Sequence, residues 1–190
     1  GKYMPRKGLT MEEIINAATS LVEEKGYDNF SLRELASRLD VKPASLYNHT
    51  SNVAQITNVV GHFALDTLCE ELKKSQKGAN GKEKLLNVAN AYRKYALNNR
   101  ELYKVIVNMP TKKKETILKE GRSILKELYL TLDEYNLTHE EKIHFARAYR
   151  SAMHGFVSLE MNGYFQNEPN TDESYSFMIV ALINSLLKEN

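Results

Sequence analysis

Apolar residues recur with the period of an α-helix along nearly the whole chain, and punctuation residues divide that pattern into segments. Thr10-x-x-Glu13 is a capping box, in which a hydroxyl and a carboxylate satisfy backbone N–H groups at a helix start. An apolar stripe follows it up to Gly26, a residue typical of the position just past a helix end. These signals predict a first helix between Thr10 and Gly26.

A second capping box, Ser31-x-x-Glu34, precedes leucines and alanines at helical spacing, which predicts a short helix with one buried face. A turn is expected at 40–41. Pro43 suits the first position of a third helix, which extends to about His49, because the missing N–H costs nothing there. The segment 31–50 is therefore predicted to be two short helices joined by a tight turn.

The rest of the chain predicts further helices separated by short polar loops. The fourth helix begins at Ser51 or Asn52, and a polar loop with two glycines covers 76–81. The remaining helices are expected at 82–98, 100–108, 111–135, 138–162 and 172–188, and Thr138-x-x-Glu141 caps the penultimate one. We therefore predict an all-α fold of about nine helices.

The third predicted helix combines a buried anchor, Leu46, with a polar outer side. The outer side offers hydrogen-bond donors and a flat ring, from Lys42, Ser45, Tyr47, Asn48 and His49. A short rod that is anchored from behind and carries polar side chains suits the major groove of DNA. The pattern thus favours a helix-turn-helix that binds DNA.

Composition is that of an ordinary globular protein, with 42% hydrophobic and 26% charged residues. Cys69 is the only cysteine, so no intrachain disulfide can form, and a cytoplasmic location is expected. The longest apolar run, 177–183, is too short to cross a bilayer, so no membrane contact is expected.

The formal net charge of +2 is weak evidence for a nucleic-acid partner. Its distribution is more informative, because the acids before Gln55 concentrate on the first helix while the bases lie in the N-terminal arm and the two-helix motif. Within that motif, Glu34 and Asp40 are expected to face away from DNA or to balance Arg38.

Interpretations as an enzyme or a metal protein fail on spacing. Glu141-x-x-His144 is half of a di-iron signature without its second copy, and Ile143 occupies the second ligand position of a zinc-protease helix that would begin at His139. The sequence contains no G-x-S-x-G, phosphate-binding glycine loop or Cys/His cluster. We predict no enzyme activity, no metal and no cofactor.

The last two predicted helices indicate a second copy of the chain. The first of them carries small residues that let another backbone approach closely, namely Ala148, Ser151, Ala152 and Gly155. The last one is apolar almost all round, and such a helix must be buried on all sides. A homodimer through these two helices is expected; the alternative is a deeply buried helix of a monomer.

The pattern IINAATSLVEEKGYDNFS, the motif SLRELASRLDVKPASLYNH and the helical remainder together resemble the TetR family of transcriptional regulators. The resemblance is specific over the first quarter of the chain. RSAMHGFVSLEMNGYF is similar to a subgroup of the family in which a His-Gly segment lies on the penultimate helix.

The resemblance implies a homodimer that places its third helices in the major grooves of a near-palindromic double-stranded DNA operator. It implies a DNA-binding domain at 1–55 and a ligand-binding and dimerisation domain at 56–190. A small-molecule effector would change the spacing of the two third helices and release the DNA, as in a repressor. The alternative is a helical small-molecule-binding protein whose helix-turn-helix no longer binds specific DNA.

Three positions depart from the family pattern. Thr50 stands where an aromatic residue is usual, and Val53 stands where a lysine often contacts a phosphate. Lys42 replaces a small capping residue and is expected to supply part of the lost phosphate contact. These departures keep the alternative open.

Two sets of candidate site residues follow. Phosphates or base edges are expected to contact Lys7, Ser31, Arg33, Lys42, Pro43, Ala44, Ser45, Tyr47, Asn48 and His49, while Lys2 and Arg6 extend the basic arm. The alternative is a solvated polar surface.

A mostly apolar ligand pocket is expected to include Phe63, Tyr92, Tyr95, Tyr103, Met153, His154 and Phe156. The alternative is that these residues are ordinary core. Lys112-Lys113-Lys114 is expected to be a solvated helix start.

Overall fold

The computed structural model describes residues 8–109 and 126–186. These residues form nine helical segments and no strand: α1 Met11–Lys25, α2 Leu32–Arg38, α3 Pro43–Tyr47, α4 Val53–Ser75, α5 Gly81–Asn98, α6 Arg100–Asn108, α7 at 126–132, α8 His139–Met161 and α9 Thr171–Asn184. The all-α prediction is confirmed. The helices α3 and α9 end earlier than predicted, and the expected helix start at 111, with its three lysines, lies outside the described residues.

Local hydrogen bonds explain where these helices begin. All three predicted capping boxes form, in the pairs Thr10–Glu13, Ser31–Glu34 and Thr138–Glu141. In each pair the hydroxyl accepts a hydrogen bond from the glutamate N–H, and the glutamate side chain accepts one from the N–H of the capping residue. Backbone donors that a helix start leaves unpaired are thereby satisfied.

The chain divides into two compact units. The first comprises 1–65 and 99–110, and the second comprises 66–98 and 111–190. Helix α6 therefore belongs with α1–α3 and the first part of α4, although it follows α5 in the sequence. The functional boundary expected near residue 55 stays a prediction. None of the helices in the described part of the chain has the length and hydropathy needed to cross a bilayer.

Helices α1, α2 and α6 pack together in the first unit. Ile14 and Val22 of α1 and Leu35 of α2 are all 0% exposed. Where α4 meets the end of α6, a Cβ atom on Gly61 would lie 2.2 Å from the sulfur of Met109. A glycine at position 61 thus leaves room for that methionine side chain.

Helices α5, α8 and α9 pack around one apolar cluster in the second unit. Two buried phenols tie this cluster to α5, because Tyr149 donates to the carbonyl of Leu85 and Tyr175 donates to the carbonyl of Ala89 at 2.7 Å. Burial raises the pKa of both tyrosines. Each buried hydroxyl therefore stays protonated and has an acceptor.

Arg93 of α5 connects three helices. Its guanidinium donates two hydrogen bonds to Glu160 of α8, at 2.8 and 2.6 Å, and one to Asp172 of α9, at 2.7 Å. The side chains of Arg93 and Glu160 are each 14% exposed. The guanidinium also lies 5.1 Å from the ring centre of Tyr175 and 5.9 Å from that of Phe156. Because of this pairing, Arg93 holds the pKa of Glu160 below its ordinary value.

Replacing Glu160 with glutamine is expected to lower the free energy of unfolding by about 1–3 kcal/mol near pH 7, because Arg93 loses a nearly buried charged partner. The pKa of Glu160 is lowered in the fold, so its contribution is fully present above the ordinary glutamate pKa. The contribution is lost as the pH falls through the lowered value. Urea unfolding of both proteins at several pH values measures the difference.

The matched control is Glu173→Gln, which removes an exposed carboxylate from the first turn of α9. This control is expected to change the free energy of unfolding little. A loss in the Glu160→Gln protein that stays constant from neutral to strongly acidic pH would contradict an ionic role for Glu160.

Candidate nucleic-acid interface

A tight turn joins α2 to α3, as the sequence predicts. Asp40 has a φ angle of +50°, in the left-handed region that aspartate tolerates better than most residues. The N–H of Val41 donates to the carbonyl of Ala36 at 3.0 Å. These two features reverse the chain and set the direction in which α3 leaves the turn.

Helix α3 is five residues long and is held from behind by Leu46, which is 0% exposed. Pro43 occupies its first turn, as expected. The N-cap residue Lys42 makes no side-chain capping bond. An isolated helix of this length is unstable in water, so the position of α3 depends on its packing against the rest of the unit.

The candidate DNA contacts on α3 lie along one short exposed segment. Tyr47 is 58% exposed and Ser45 is half-buried. The other exposed candidates are Lys42, Pro43, Ala44, Asn48 and His49. Lys7, like Lys2 and Arg6, lies outside the described residues. Six of the seven candidates between 42 and 49 are thus exposed, on α3 and its flanks, and Ser31 and Arg33 are exposed at the start of α2.

Thr50 is 5% exposed and belongs to a hydrogen-bonded junction between α3 and α4. Its hydroxyl donates to the carbonyl of Asn52 at 3.0 Å, while the Asn52 side chain accepts from the N–H of Gln55 at 2.9 Å. The Gln55 side chain in turn accepts from the N–H of Ser51 at 2.9 Å. Asn52 therefore caps α4. Thr50, which departs from the family pattern, has a structural role at this junction.

Two bases of the first unit are engaged in ion pairs. Arg38 donates to both carboxylate oxygens of Glu24, at 2.7 and 2.5 Å, and Lys25 pairs with Glu34. Arg38 thus pairs with Glu24 on α1, because the end of α1 packs beside α2. The expectation that Glu34 or Asp40 balances Arg38 is wrong. Arg38 lowers the pKa of Glu24, and Lys25 together with Ser31 lowers the pKa of Glu34 to about 2.

Arg33 and Lys42 are the bases of the two-helix motif with no ion pair in the described part of the chain. Both are exposed and remain available to an anionic partner. The hydroxyl of Ser31 already forms two hydrogen bonds with Glu34. It accepts from the Glu34 N–H at 3.2 Å and donates to the Glu34 carboxylate at 3.0 Å. A phosphate contact by Ser31 therefore stays a prediction that rests on the neighbouring backbone N–H groups.

The candidate pocket residues divide between the two units. Phe63, which is 40% exposed, and Tyr103, which is 3% exposed, lie in the first unit. The second unit contains Tyr92, Tyr95, Met153, His154 and Phe156. Of these, the buried cluster includes Met153, and Tyr92 and Phe156 pack against it. The structure brings these three together, and their contact with a ligand stays a prediction.

The sequence pattern does not indicate Arg93 and its partners. The partners lie 67 and 79 residues along the chain from Arg93, and no periodicity connects such distant positions. Among the described residues, no group of three or more His, Cys, Asp or Glu side chains is arranged to hold a metal ion.

Comparison with known proteins agrees with this geometry. Residues 14–52 match the family model described as bacterial regulatory proteins, tetR family, and residues 85–182 match the model described as Tetracyclin repressor-like, C-terminal domain. The chain is 28% identical over 186 residues to YobS of Bacillus subtilis (strain 168), an uncharacterised HTH-type transcriptional regulator, with 98% of this chain and 97% of YobS covered. An uncharacterised HTH-type transcriptional regulator of Mycobacterium tuberculosis is also 28% identical, over 92% of this chain and 80% of that protein.

Solved structures share the fold. A protein of unknown function from Rhodococcus sp. RHA1 superimposes with a TM-score of 0.81 at 18% identity, covering 97% of this chain and 98% of that one. A TetR variant from Acinetobacter baumannii AYE in complex with minocycline has a TM-score of 0.67 at 22% identity, covering 93% of this chain and 96% of that one.

The C-terminal family model alone covers more than half of the 190 residues, and the N-terminal model covers α2, the turn and α3. Members of the family bind DNA operators, typically as dimers that also bind small-molecule ligands, and they are regulators rather than enzymes. This chain belongs to the TetR family of transcriptional regulators and has a DNA-binding helix-turn-helix and a ligand-binding C-terminal domain.

Proposed function

We propose that this protein is a cytoplasmic repressor that binds a near-palindromic operator as a dimer and is released by a small-molecule inducer. The observation that supports it most is the exposure of Tyr47 on α3 and of Lys42 and His49 on its two flanks, around the buried Leu46. Polar side chains on a rigid short helix suit the major groove and its flanking phosphates.

Release by an inducer requires a coupling free energy between two sites. We infer that inducer and operator favour different spacings of the two α3 helices in the dimer. Each ligand therefore weakens the binding of the other.

The double substitution Lys42→Ala, Tyr47→Ala is expected to lower operator affinity by about a thousandfold or more, because each half-site loses two hydrogen bonds to charged phosphates. The operator comes from selection of bound sequences in a random duplex pool. Fluorescence anisotropy across salt concentrations then measures affinity. Lys42→Ala alone is expected to reduce the salt slope by about 2 for a dimer.

The matched controls are Lys73→Ala on the last turn of α4 and Tyr164→Ala, a tyrosine that is 73% exposed. Both controls are expected to bind the operator like the unaltered protein. The alternative function, a small-molecule-binding protein that does not bind specific DNA, predicts no selected sequence and no effect of the double substitution.

The dimer proposal rests on apolar side chains that the second unit leaves exposed. On α9, Phe177 is 78% exposed and Val180 is 39% exposed, and Leu159 of α8 is 43% exposed. Helices α8 and α9 pack on each other, so these side chains belong to one rigid pair of helices. Exposed apolar surface of this kind marks an interface, and a second copy of the chain is the partner typical of the family.

Gly155→Leu is expected to weaken the dimer by about tenfold or more while leaving the folded subunit at least as stable. No heavy atom lies within 4 Å of a Cβ built on Gly155, and leucine favours a helix more than glycine does. A leucine here would meet the partner subunit at the expected interface. Sedimentation at several protein concentrations measures the dimer, and thermal unfolding monitors the fold.

Asn16→Leu is the control, since it adds the same side chain to an exposed position on α1 in the first unit. It is expected to leave the dimer intact. An unchanged dimer in the Gly155→Leu protein would exclude close packing around Gly155 as the interface.

We propose that the inducer binds between α5 and α8, near Tyr92, Met153 and Phe156. Tyr92→Phe removes one hydroxyl and is expected to raise the inducer concentration needed for operator release by about fivefold, the effect of one lost hydrogen bond. Operator affinity without inducer is expected to stay unchanged. Release of labelled operator by a compound found in a screen measures both quantities, and Tyr164→Phe is the control. Equal inducer sensitivity in both variants would place the inducer elsewhere.

A further inference from the structure

The burial of Leu46 determines which side of α3 faces solvent. Residues three and four apart lie on the same side of a helix, so Ala44, Tyr47 and Asn48 form one surface, the outer face of α3. All three are exposed, whereas Leu46 between them is 0% exposed. The direction of the Ala44 methyl group is therefore set by the packing of the unit.

The two exposed side chains of the first turn of α3 form no hydrogen bonds, whereas Ser45 in the same turn is half-buried. Pro43 and Ala44 are both exposed, and neither side chain has a donor or an acceptor. Residues of the first turn of a recognition helix are those that reach base edges. A base edge that meets Pro43 or Ala44 is therefore recognised through apolar contact.

No arginine lies on α3 itself, and Arg33 on α2 remains available to another position of the operator. Helix α3 contains no arginine, glutamine or glutamate, and Arg38 of α2 is held by two hydrogen bonds to Glu24. The arginine fork that recognises guanine is thus absent from the outer face of α3.

Thymine is the base whose major-groove edge presents an apolar group, the C5-methyl group. We propose that Ala44 contacts the C5-methyl group of a thymine in each half-site of the operator and makes that position specific. This inference rests on the proposed function, because it names the base that the DNA-binding surface selects. Tyr47 and Asn48, further along the same face, contact phosphates or neighbouring bases.

The test replaces each thymine of the selected operator by uracil, one position at a time, which removes only the methyl group. At one thymine per half-site, the unaltered protein is expected to lose about fourfold in affinity, the effect of one buried carbon. In the Ala44→Gly protein the thymine-to-uracil ratio at that position is expected to fall to about one. The ratio compares two DNAs with one protein, so any loss of folded protein cancels.

Lys42→Ala is the matched control, because it removes the expected phosphate contact of the residue just before α3. It is expected to weaken binding to the thymine and uracil operators alike and to keep their ratio. A selected operator that shows no thymine-to-uracil effect, or one whose effect persists in the Ala44→Gly protein, overturns this inference alone. Selection that yields no sequence preference overturns the proposed function together with it.

Discussion

The burial of Leu46 is the interaction on which the proposed DNA contacts of α3 and its flanks depend. A helix of five residues has too few internal hydrogen bonds to repay the cost of its nucleation. Leu46 supplies the missing stability from the core side, and its carbonyl accepts from the N–H groups of His49 and Thr50 at 2.9 and 3.1 Å. With the turn at Asp40 on one side and the capping network of Asn52 on the other, α3 is held at both ends.

The first unit uses part of its positive charge internally. Exposed ion pairs such as Glu24–Arg38 and Lys25–Glu34 contribute little to stability. Their larger consequence is that the positive surface of the two-helix motif reduces to Arg33 and Lys42. A protein with a net charge of +2 can thus direct a small basic surface towards DNA, with neutral side chains supplying much of the proposed specificity.

The second unit is organised around polar contacts in an apolar interior. Arg93 holds Glu160 and Asp172, and the hydroxyls of Tyr149 and Tyr175 bind carbonyls of α5. These bonds hold α8 and α9 against α5, and the outer sides of α8 and α9 are the surface that we propose for a second copy. Tyr149 and Tyr175 belong to the same cluster as Met153, beside which we propose that the inducer binds.

The sequence by itself determined the features that depend on neighbours a few residues apart. The helices and the DNA-binding motif were predicted from the capping boxes, the proline at the start of α3 and the spacing of apolar residues. These signals are local, because the hydrogen bonds and faces of a helix involve residues three or four positions apart. Tertiary structure alone decided that α6 joins the first unit, that Glu24 is the partner of Arg38, that Thr50 is buried and that Arg93 connects three helices. These features depend on which faces meet after distant segments pack, and no local pattern encodes that choice.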